Sequence, residues 1–229
     1  MRKPEFKLLL KKKWNALMFR LGVTETRKSN LIFYALCEMY NSKNRHYHTL
    51  HHINDCLELV QAYFKDQVDD LDSLEFAIFF HDIIYCCDVQ QRNETSSSAY
   101  ACGVASDVFG LSQEFTLKVD KLIRATQHLP DYSTTGDESI IVDVDLFALS
   151  RDYDAFCADS IRIRREYSAV DDKAFTVGRL GFLKTMLKRR FIYKTDLFRL
   201  ERETLTRRNI AQHMQEIIES GSFDAMTEF

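Results

Sequence analysis

The chain reads Leu-Glu-Phe-Ala-Ile-Phe-Phe-His-Asp-Ile-Ile-Tyr over residues 74–85. Apolar side chains occupy nearly every side of a helix drawn through this segment, and such a helix is typical of the centre of a helical protein. His81 and Asp82 stand inside the apolar run. Because burying a carboxylate without a compensating charge is strongly unfavourable, Asp82 needs a positive partner. The segment therefore predicts a buried central helix that carries a charged site.

The composition favours helices on both sides of this segment. The 229 residues are 45% hydrophobic and 12% aromatic, so the chain can bury a sizeable core in one domain. Only two prolines and seven glycines occur, whereas residues that stabilise helices are plentiful. We expect an all-α protein with a single domain over residues 1–229.

Apolar periodicity and capping residues place the other helices. Helical patterns cover residues 5–20 and 29–40 and are broken at Gly22. Thr49 is placed to cap a helix that His52 opens and whose apolar stripe runs through Ile53, Cys56, Leu57, Val60 and Phe64. Further helices are predicted over 99–109, from a cap at Ser112 through Thr126, and over 152–169, 173–192 and 196–219.

Residues 140–146 give a conflicting signal. Their sequence, Ile-Ile-Val-Asp-Val-Asp-Leu, alternates with period two and is rich in β-branched residues, which is typical of a strand. A lone strand would have no partner elsewhere in the chain, so a short buried helix is the more coherent interpretation. The preceding segment, Leu129 to Ser139, is rich in turn-forming residues and is predicted to be a long surface loop of the kind that covers sites.

The charge balance and the beginning of the chain exclude some classes of partner. A net charge of −3, from 31 basic and 34 acidic side chains, creates no global field that selects a nucleic-acid polymer or a membrane. Residues 1–14 hold no apolar run long enough for a signal segment or a spanning helix, so a cytoplasmic location is expected. The six cysteines show no C-x-x-C spacing and are expected to be reduced, buried thiols.

The His-Asp pair predicts a metal site. Histidine and aspartate together provide the nitrogen and oxygen ligands that suit Mn, Fe, Co, Ni or Zn, with Mg as an alternative. Neighbouring residues on a helix point about 100° apart, so His81 and Asp82 leave the other positions around one ion to different helices. Two further clusters supply candidates: His48 with His52, and Asp143 with Asp145.

The order of these groups resembles the HD superfamily of metal-dependent phosphohydrolases, and within it the predicted HD phosphohydrolases of bacteria. Six segments carry the resemblance: residues 47–53, 80–85, 93–97, 125–128, 143–146 and 163–167. A bare His-Asp dipeptide is weak evidence, but six segments in order are specific. The resemblance covers about residues 45–210, and it implies an HD-type helical domain on which the helices of residues 5–40 pack.

The resemblance implies a metal held by His52, His81, Asp82 and one of Asp143 or Asp145. We expect Asp145 to be the ligand, because the Asp-Leu pair there matches the closing aspartate of the superfamily more closely.

The resemblance also implies residues that act on water and on the substrate. Many nucleotide-cleaving HD enzymes carry a glutamate where this chain has Tyr85, and Glu94 is the nearest substitute. The candidate catalytic residues are Asp82, Glu94, His48 and His128. The candidate substrate-binding residues are Arg164, Tyr85 and Asn93.

The expected reaction is hydrolysis of a phosphate ester, in a nucleotide or another small phosphorylated metabolite, by a metal-activated water. That substrate is the expected partner, and the sequence leaves the oligomeric state open. Two alternatives stand beside the hydrolase. Tyr85 favours a non-hydrolytic HD module that binds a nucleotide or a protein partner. A di-iron oxygenase on the same scaffold needs extra histidines at bridging distance, for which His48 and His128 are the candidates.

Overall fold

The computed structural model describes residues 3–87, 92–129 and 133–227. Within these ranges every regular element is helical, which confirms the predicted all-α class. The helices are α1 Lys3–Arg20, α2 Thr26–Tyr40, α3 Leu50–Leu59, α4 Leu71–Phe80, α5 Asn93–Gly103, α6 Gln113–Ala125, α7 Asp137–Asp145, α8 Tyr153–Glu166, α9 Asp172–Lys188, α10 Asp196–Glu201, α11 Glu203–Ser220 and α12 Phe223–Thr227. Three of them continue as irregular helical turns: α3 over Val60–Phe64, α5 over Val104–Val108 and α7 over Leu146–Ser150. None of the described helices has both the length and the apolar composition needed to cross a membrane.

The first two helices pack on the central helix α4 through Trp14. This side chain is fully buried, and its ring meets the Phe79 ring edge-on, with 5.3 Å between the ring centres. The indole Nε1 donates a hydrogen bond to Ser29 Oγ at 2.9 Å, so the polar atom of the ring is satisfied inside the core. The amino-terminal helices therefore share one core with α4.

The central helix ends earlier than predicted. α4 stops at Phe80, His81 caps it, and Asp82 lies in the turn that follows, so the prediction of a helix through Tyr85 is wrong. The backbone groups of this turn find partners outside a helix. Arg45 donates to the carbonyls of Asp82 at 2.7 Å and Ile83 at 2.9 Å.

The strand-like segment over residues 140–146 is helical, as predicted. Residues 140–145 form the larger part of α7. The helix begins at Asp137, whose carboxylate accepts the N–H groups of Asp69 and Asp70 at 2.9 and 2.8 Å. The start of α7 at Asp137 lies inside the segment Leu129 to Ser139, so the prediction of a loop is wrong for residues 137–139. Residues 130–132 of that loop lie outside the described residues, and so does this part of the predicted cover.

The long helices predicted near the end of the chain are divided. The segment 196–219 forms α10 and α11, which are separated at Arg202. α9 ends at Lys188 instead of residue 192, because nearby side chains bind the backbone that follows. Arg207 donates to the carbonyl of Arg189 at 2.7 Å, and Glu203 accepts the N–H of Ile192 at 3.0 Å.

All six cysteines are free thiols. Cys37 and Cys56 are buried, but Cys86 is exposed and the other three are partly exposed, so the expectation of general burial is wrong.

Candidate metal centre

Four side chains from α3, from the end of α4 and from α7 converge on one point. They are His52, His81, Asp82 and Asp145, and their potential ligand atoms all lie within 4.8 Å of one another. His52 Nε2 lies 3.1 Å from His81 Nε2 and 3.0 Å from Asp145 Oδ1. His81 Nε2 lies 3.2 Å from Asp82 Oδ2. Ligands bound to a transition metal at about 2.0–2.2 Å are about 3–3.6 Å from their neighbours, so this spacing fits a single ion.

Local structure aims both histidines at this point. Thr49 caps α3 and accepts the N–H of His51 at 3.3 Å, which fixes the first turn that carries His52. His81 Nδ1 lies 2.9 Å from the carbonyl of Ile78. Because a carbonyl oxygen can only accept, Nδ1 carries the hydrogen, and the Nε2 of a neutral His81 ring offers its lone pair to the cluster. This is the orientation that a metal ligand requires.

The electrostatics of the cluster favour a bound cation. Burial by itself raises the pKa of the Asp82 and Asp145 carboxyls, but the surrounding imidazoles hold the pKa of both below the ordinary range. Burial also opposes protonation of His81, yet the two carboxylates raise its pKa well above the usual value. Two buried carboxylates thus demand positive charge, which either a divalent cation or protonated imidazoles would supply.

The structure separates the two candidate aspartates. Asp145 belongs to the cluster, whereas Asp143 binds the chain that leads into α10. Asp143 accepts the N–H of Lys194 at 2.6 Å, and the N–H and hydroxyl of Thr195 at 2.8 and 2.6 Å. Since these donors use the carboxylate of Asp143, it serves to hold backbone in place.

His128 adds a third imidazole at the edge of the cluster. Its Nε2 lies 2.8 Å from Asp145 Oδ2, so the two oxygens of Asp145 face different histidines. The backbone of His128 has a φ of 52°, in the left-handed region that residues other than glycine rarely adopt. This turn after α6 brings the ring to Asp145, and strained backbone of this kind is common at functional sites.

Glu166, at the end of α8, holds His48 in place. Its Oε1 accepts the N–H groups of His46, Tyr47 and His48, each at 2.8 Å, and its Oε2 lies 2.7 Å from His48 Nδ1. Burial disfavours the charged imidazole, but Asp82 and Glu166 together raise the pKa of His48. The His48 ring lies against Tyr85, with 4.1 Å between the ring centres.

Two residues expected to bind substrate are engaged elsewhere. Arg164 forms a paired contact with the Asp224 carboxylate at 2.8 and 2.9 Å. The Asn93 side chain binds both backbone groups of Cys86, at 3.0 and 2.9 Å, and so fixes the turn after the His-Asp pair. These contacts occupy the polar groups of both side chains, although Asn93 also lines the large cavity beside the cluster. The substrate roles of Arg164 and Asn93 stay predictions.

A cavity of about 1050 Å³ opens beside the cluster. Its polar wall includes Asp82, Asp145, His48, His128, Tyr85 and Glu94. Burial raises the pKa of Glu94 and that of Tyr85, so both groups are less acidic than in water. A smaller cavity of about 490 Å³ also reaches the cluster, and His52 and Asp145 form part of its wall. The larger cavity therefore brings together all four expected catalytic residues, Asp82, Glu94, His48 and His128.

Sequence reasoning missed two arginines beside the site. Arg45 clamps the turn that carries Asp82, and nothing in the local sequence distinguishes it from a surface residue. Arg179, on α9, lines the larger cavity. It stands four residues after Phe175 and four before Leu183, both of which are buried, so it interrupts an apolar stripe. That interruption was the signal available in the sequence.

In comparisons with known proteins, the chain matches no protein-family model, no curated protein and no solved structure.

Proposed function

We propose that this protein is a metal-dependent phosphohydrolase of the HD type, which cleaves a phosphate ester in a nucleotide or a similar small metabolite. The proposal depends above all on the convergence of His52, His81, Asp82 and Asp145 at the wall of a large cavity. The order of the six sequence segments, three of which contain these four residues, is a second support.

The protein's own groups fit the parts of such a reaction. The four converging side chains would hold the ion. A bound divalent metal would polarise a phosphoryl oxygen and make a bound water more acidic. Glu94 lines the same cavity, and its raised pKa brings the carboxyl closer to the range in which it exchanges a proton with water near neutral pH. This supports Glu94 as the substitute for the glutamate that Tyr85 replaces.

The histidines outside the four-residue set suit the substrate. Glu166 binds His48 through Nδ1, and Glu166 and Asp82 raise the pKa of the ring, so the protonated form, in which Nε2 donates a hydrogen bond to a phosphate oxygen, is favoured. Other parts of the cavity wall are apolar, with Leu149, Phe156 and Phe182 among their residues. Such a wall binds the organic part of an ester and keeps water away from the charged end.

A centre with two metals is a second candidate, and one observation favours it. Asp145 directs Oδ1 toward His52 and Oδ2 toward His128, which is the arrangement of a carboxylate that bridges two ions. Such a centre would suit either a two-metal hydrolase or an oxygenase. The number of bound ions separates this candidate from the first.

The test is a phosphate-release screen over nucleotides and sugar phosphates, with protein of known metal content. We expect release from a defined substrate that stops on chelation, returns with added metal, and is lost in Asp145→Asn but retained in Asp143→Asn. Release that persists in chelated protein, or no release from any phosphate ester by metal-loaded protein, would contradict the proposal.

A further inference from the structure

Arg179 is a buried cation that has no anionic partner among the described residues. It is only 9% exposed. Its Nη2 donates to Ser160 Oγ at 2.8 Å, whereas its Nε is buried without a hydrogen-bond partner. Burying a charge without compensation is costly, and an arginine fork has five N–H groups to satisfy. The site around Arg179 is therefore incomplete within the described chain.

The acidic residue next to Ser160 in the chain already has partners. Asp159 precedes Ser160 on α8, but its two oxygens bind Arg151 at 3.0 Å and Arg162 at 2.5 Å. No described carboxylate lies within ion-pair distance of the Arg179 guanidinium. The missing negative charge must therefore come from outside the described residues.

The ionisable side chains that interact electrostatically with Arg179 are uncharged at neutral pH: three tyrosines, and His213, whose pKa burial and Arg179 lower to about 4. Burial lowers the pKa of Arg179 to about 10, so the guanidinium remains charged at neutral pH, and the side chains that counter this effect are Tyr47, Tyr85 and Tyr167. Burial raises the pKa of all three phenols, so they remain neutral. A charged arginine without an anionic partner can donate several hydrogen bonds to one oxyanion.

Arg179 and the metal cluster belong to the same space. Arg179, Ser160 and the three tyrosines line the cavity of about 1050 Å³ that Asp82 and Asp145 also line. Apolar side chains, including Leu149, Phe156 and Met186, make up other parts of its wall. The buried cation of Arg179 and two carboxylates of the metal cluster thus face one cavity that also has apolar walls.

We propose that Arg179 and Ser160 bind a second oxyanion group of the substrate, a phosphate or a carboxylate, while its scissile ester lies at the metal cluster. The assignment of the reacting end rests on the proposed function, but the anion site does not. The substrate class is then an organic phosphate ester with an additional anionic group and an apolar part between the two. The planar arginine fork suits either oxyanion, because both offer paired oxygens.

Calorimetric titration with inorganic phosphate and, separately, with acetate tests the anion site. The titrations use full-length protein with Asp145→Asn, so that binding at an intact metal cluster does not contribute, and compare it with the double variant Asp145→Asn/Arg179→Gln. We expect the double variant to bind phosphate at least about tenfold more weakly, the effect of losing one charge-assisted hydrogen bond. Equal affinity for phosphate in the two proteins would overturn the proposal. Acetate affinity that depends equally on Arg179 would identify a carboxylate as a suitable ligand, and acetate binding that is absent would restrict the site to phosphate.

Thermal unfolding separates a ligand-binding role from a structural one. Without anion, Arg179→Gln should melt at the same temperature as the wild type or higher, because replacing an unpaired buried charge is neutral or stabilising. The rise in melting temperature that phosphate produces should be lost. A lower melting temperature with an undiminished phosphate effect would contradict the proposal. If Arg179→Gln does not fold, Arg179→Lys is used instead. We expect Arg179→Lys to bind phosphate more weakly, because lysine lacks the planar fork. Wild-type phosphate affinity in Arg179→Lys would overturn the proposal.

These outcomes are independent of hydrolysis. If the phosphate-release screen fails while phosphate binding depends on Arg179, the proposed reaction is wrong and the anion site stands. If phosphate release is metal-dependent but phosphate binding does not depend on Arg179, the anion site is wrong and the proposed reaction stands.

Discussion

Glu166 Oε2 and His48 Nδ1 lie 2.7 Å apart although 118 residues separate them in the chain. The other oxygen of Glu166 accepts three consecutive backbone N–H groups of residues 46–48. One buried carboxylate therefore orients the His48 ring and also fixes the segment that leads into α3. Glu166 is a positioning residue, because it acts through His48.

Glu166→Gln should weaken the fold but leave the metal content unchanged. The amide keeps the size of the side chain but loses the charge that faces three N–H groups and an imidazole, so the free energy of unfolding should fall by about 1–3 kcal/mol. Metal content should not change, since Glu166 contacts none of the four cluster residues. Urea denaturation and metal analysis check both points, with the exposed Glu38→Gln as the matched control. Loss of the metal in folded Glu166→Gln would show that its role is different.

The two aspartates of α7 should respond differently to the same substitution. Asp145→Asn should lower the affinity for a divalent transition metal, because Oδ1 of Asp145 belongs to the cluster. Asp143→Asn should keep that affinity and lose about 1–3 kcal/mol of stability, because Asp143 holds Lys194 and Thr195. Competition with a chromogenic chelator measures the affinities, and urea denaturation measures the stabilities. Equal metal affinities in the two variants would refute the separation.

His48→Gln and His128→Gln should each retain one metal ion and reduce turnover. Both rings line the large cavity, where they can donate hydrogen bonds to a phosphate as charge develops. Losing one such donor typically costs about 10²–10³ in rate. Single-turnover assays with metal analysis of the same samples provide the check. If the wild type holds two ions and His128→Gln holds one, His128 is a ligand and the two-metal candidate is the better one.

His213 should make the fold less stable in acid. Its side chain is fully buried, and burial together with the positive charge of Arg179 lowers its pKa to about 4. The pKa in the unfolded chain is about 6.5. Between these values the unfolded state binds more protons than the folded state, so this contribution to stability is present above pH 6.5 and is lost as the pH falls toward 4. Since one pKa unit corresponds to about 1.4 kcal/mol, the free energy of unfolding should fall by about 3 kcal/mol.

Urea denaturation at several pH values between 4.5 and 7.5 tests this dependence. The difference between His213→Gln and the wild type should shrink as the pH falls, since the variant lacks the buried imidazole. His46→Gln, at an exposed histidine, is the control and should follow the wild type. A pH slope in His213→Gln equal to that of the wild type would contradict the assignment.

The helical class and most helix positions could be predicted from periodicity and capping. The strand-like segment 140–146 was resolved by a global argument, because its local pattern favours a strand while the chain offers no partner for one. The end of α4 could not be predicted. It depends on Arg45, Asn93 and Ser97, which lie outside α4 and bind the turn after His81.

The candidate site was predicted where residues of unusual chemistry stand in apolar surroundings. His81, Asp82 and Asp145 are examples, because burial makes a charged group conspicuous in the sequence. The partners of Arg164 and Asn93 were missed, since a polar residue near a site gives no sign of which tertiary contact it makes. Arg179 was missed because its neighbours on α9 include outward-facing basic residues, among which a single inward-facing arginine is easily overlooked.

The metal content of purified protein tests the central claim most directly. His81 is 1% exposed, and its Nε2 faces His52 Nε2 and both carboxylates of the cluster, so His81→Ala removes a donor that no neighbour replaces. Inductively coupled plasma mass spectrometry should find one equivalent of a divalent transition metal in the wild type and less than a tenth of that in folded His81→Ala. A full equivalent retained by folded His81→Ala, or a wild type that takes up no metal after incubation with Mn, Fe, Co, Ni or Zn, would contradict a metal centre at this site.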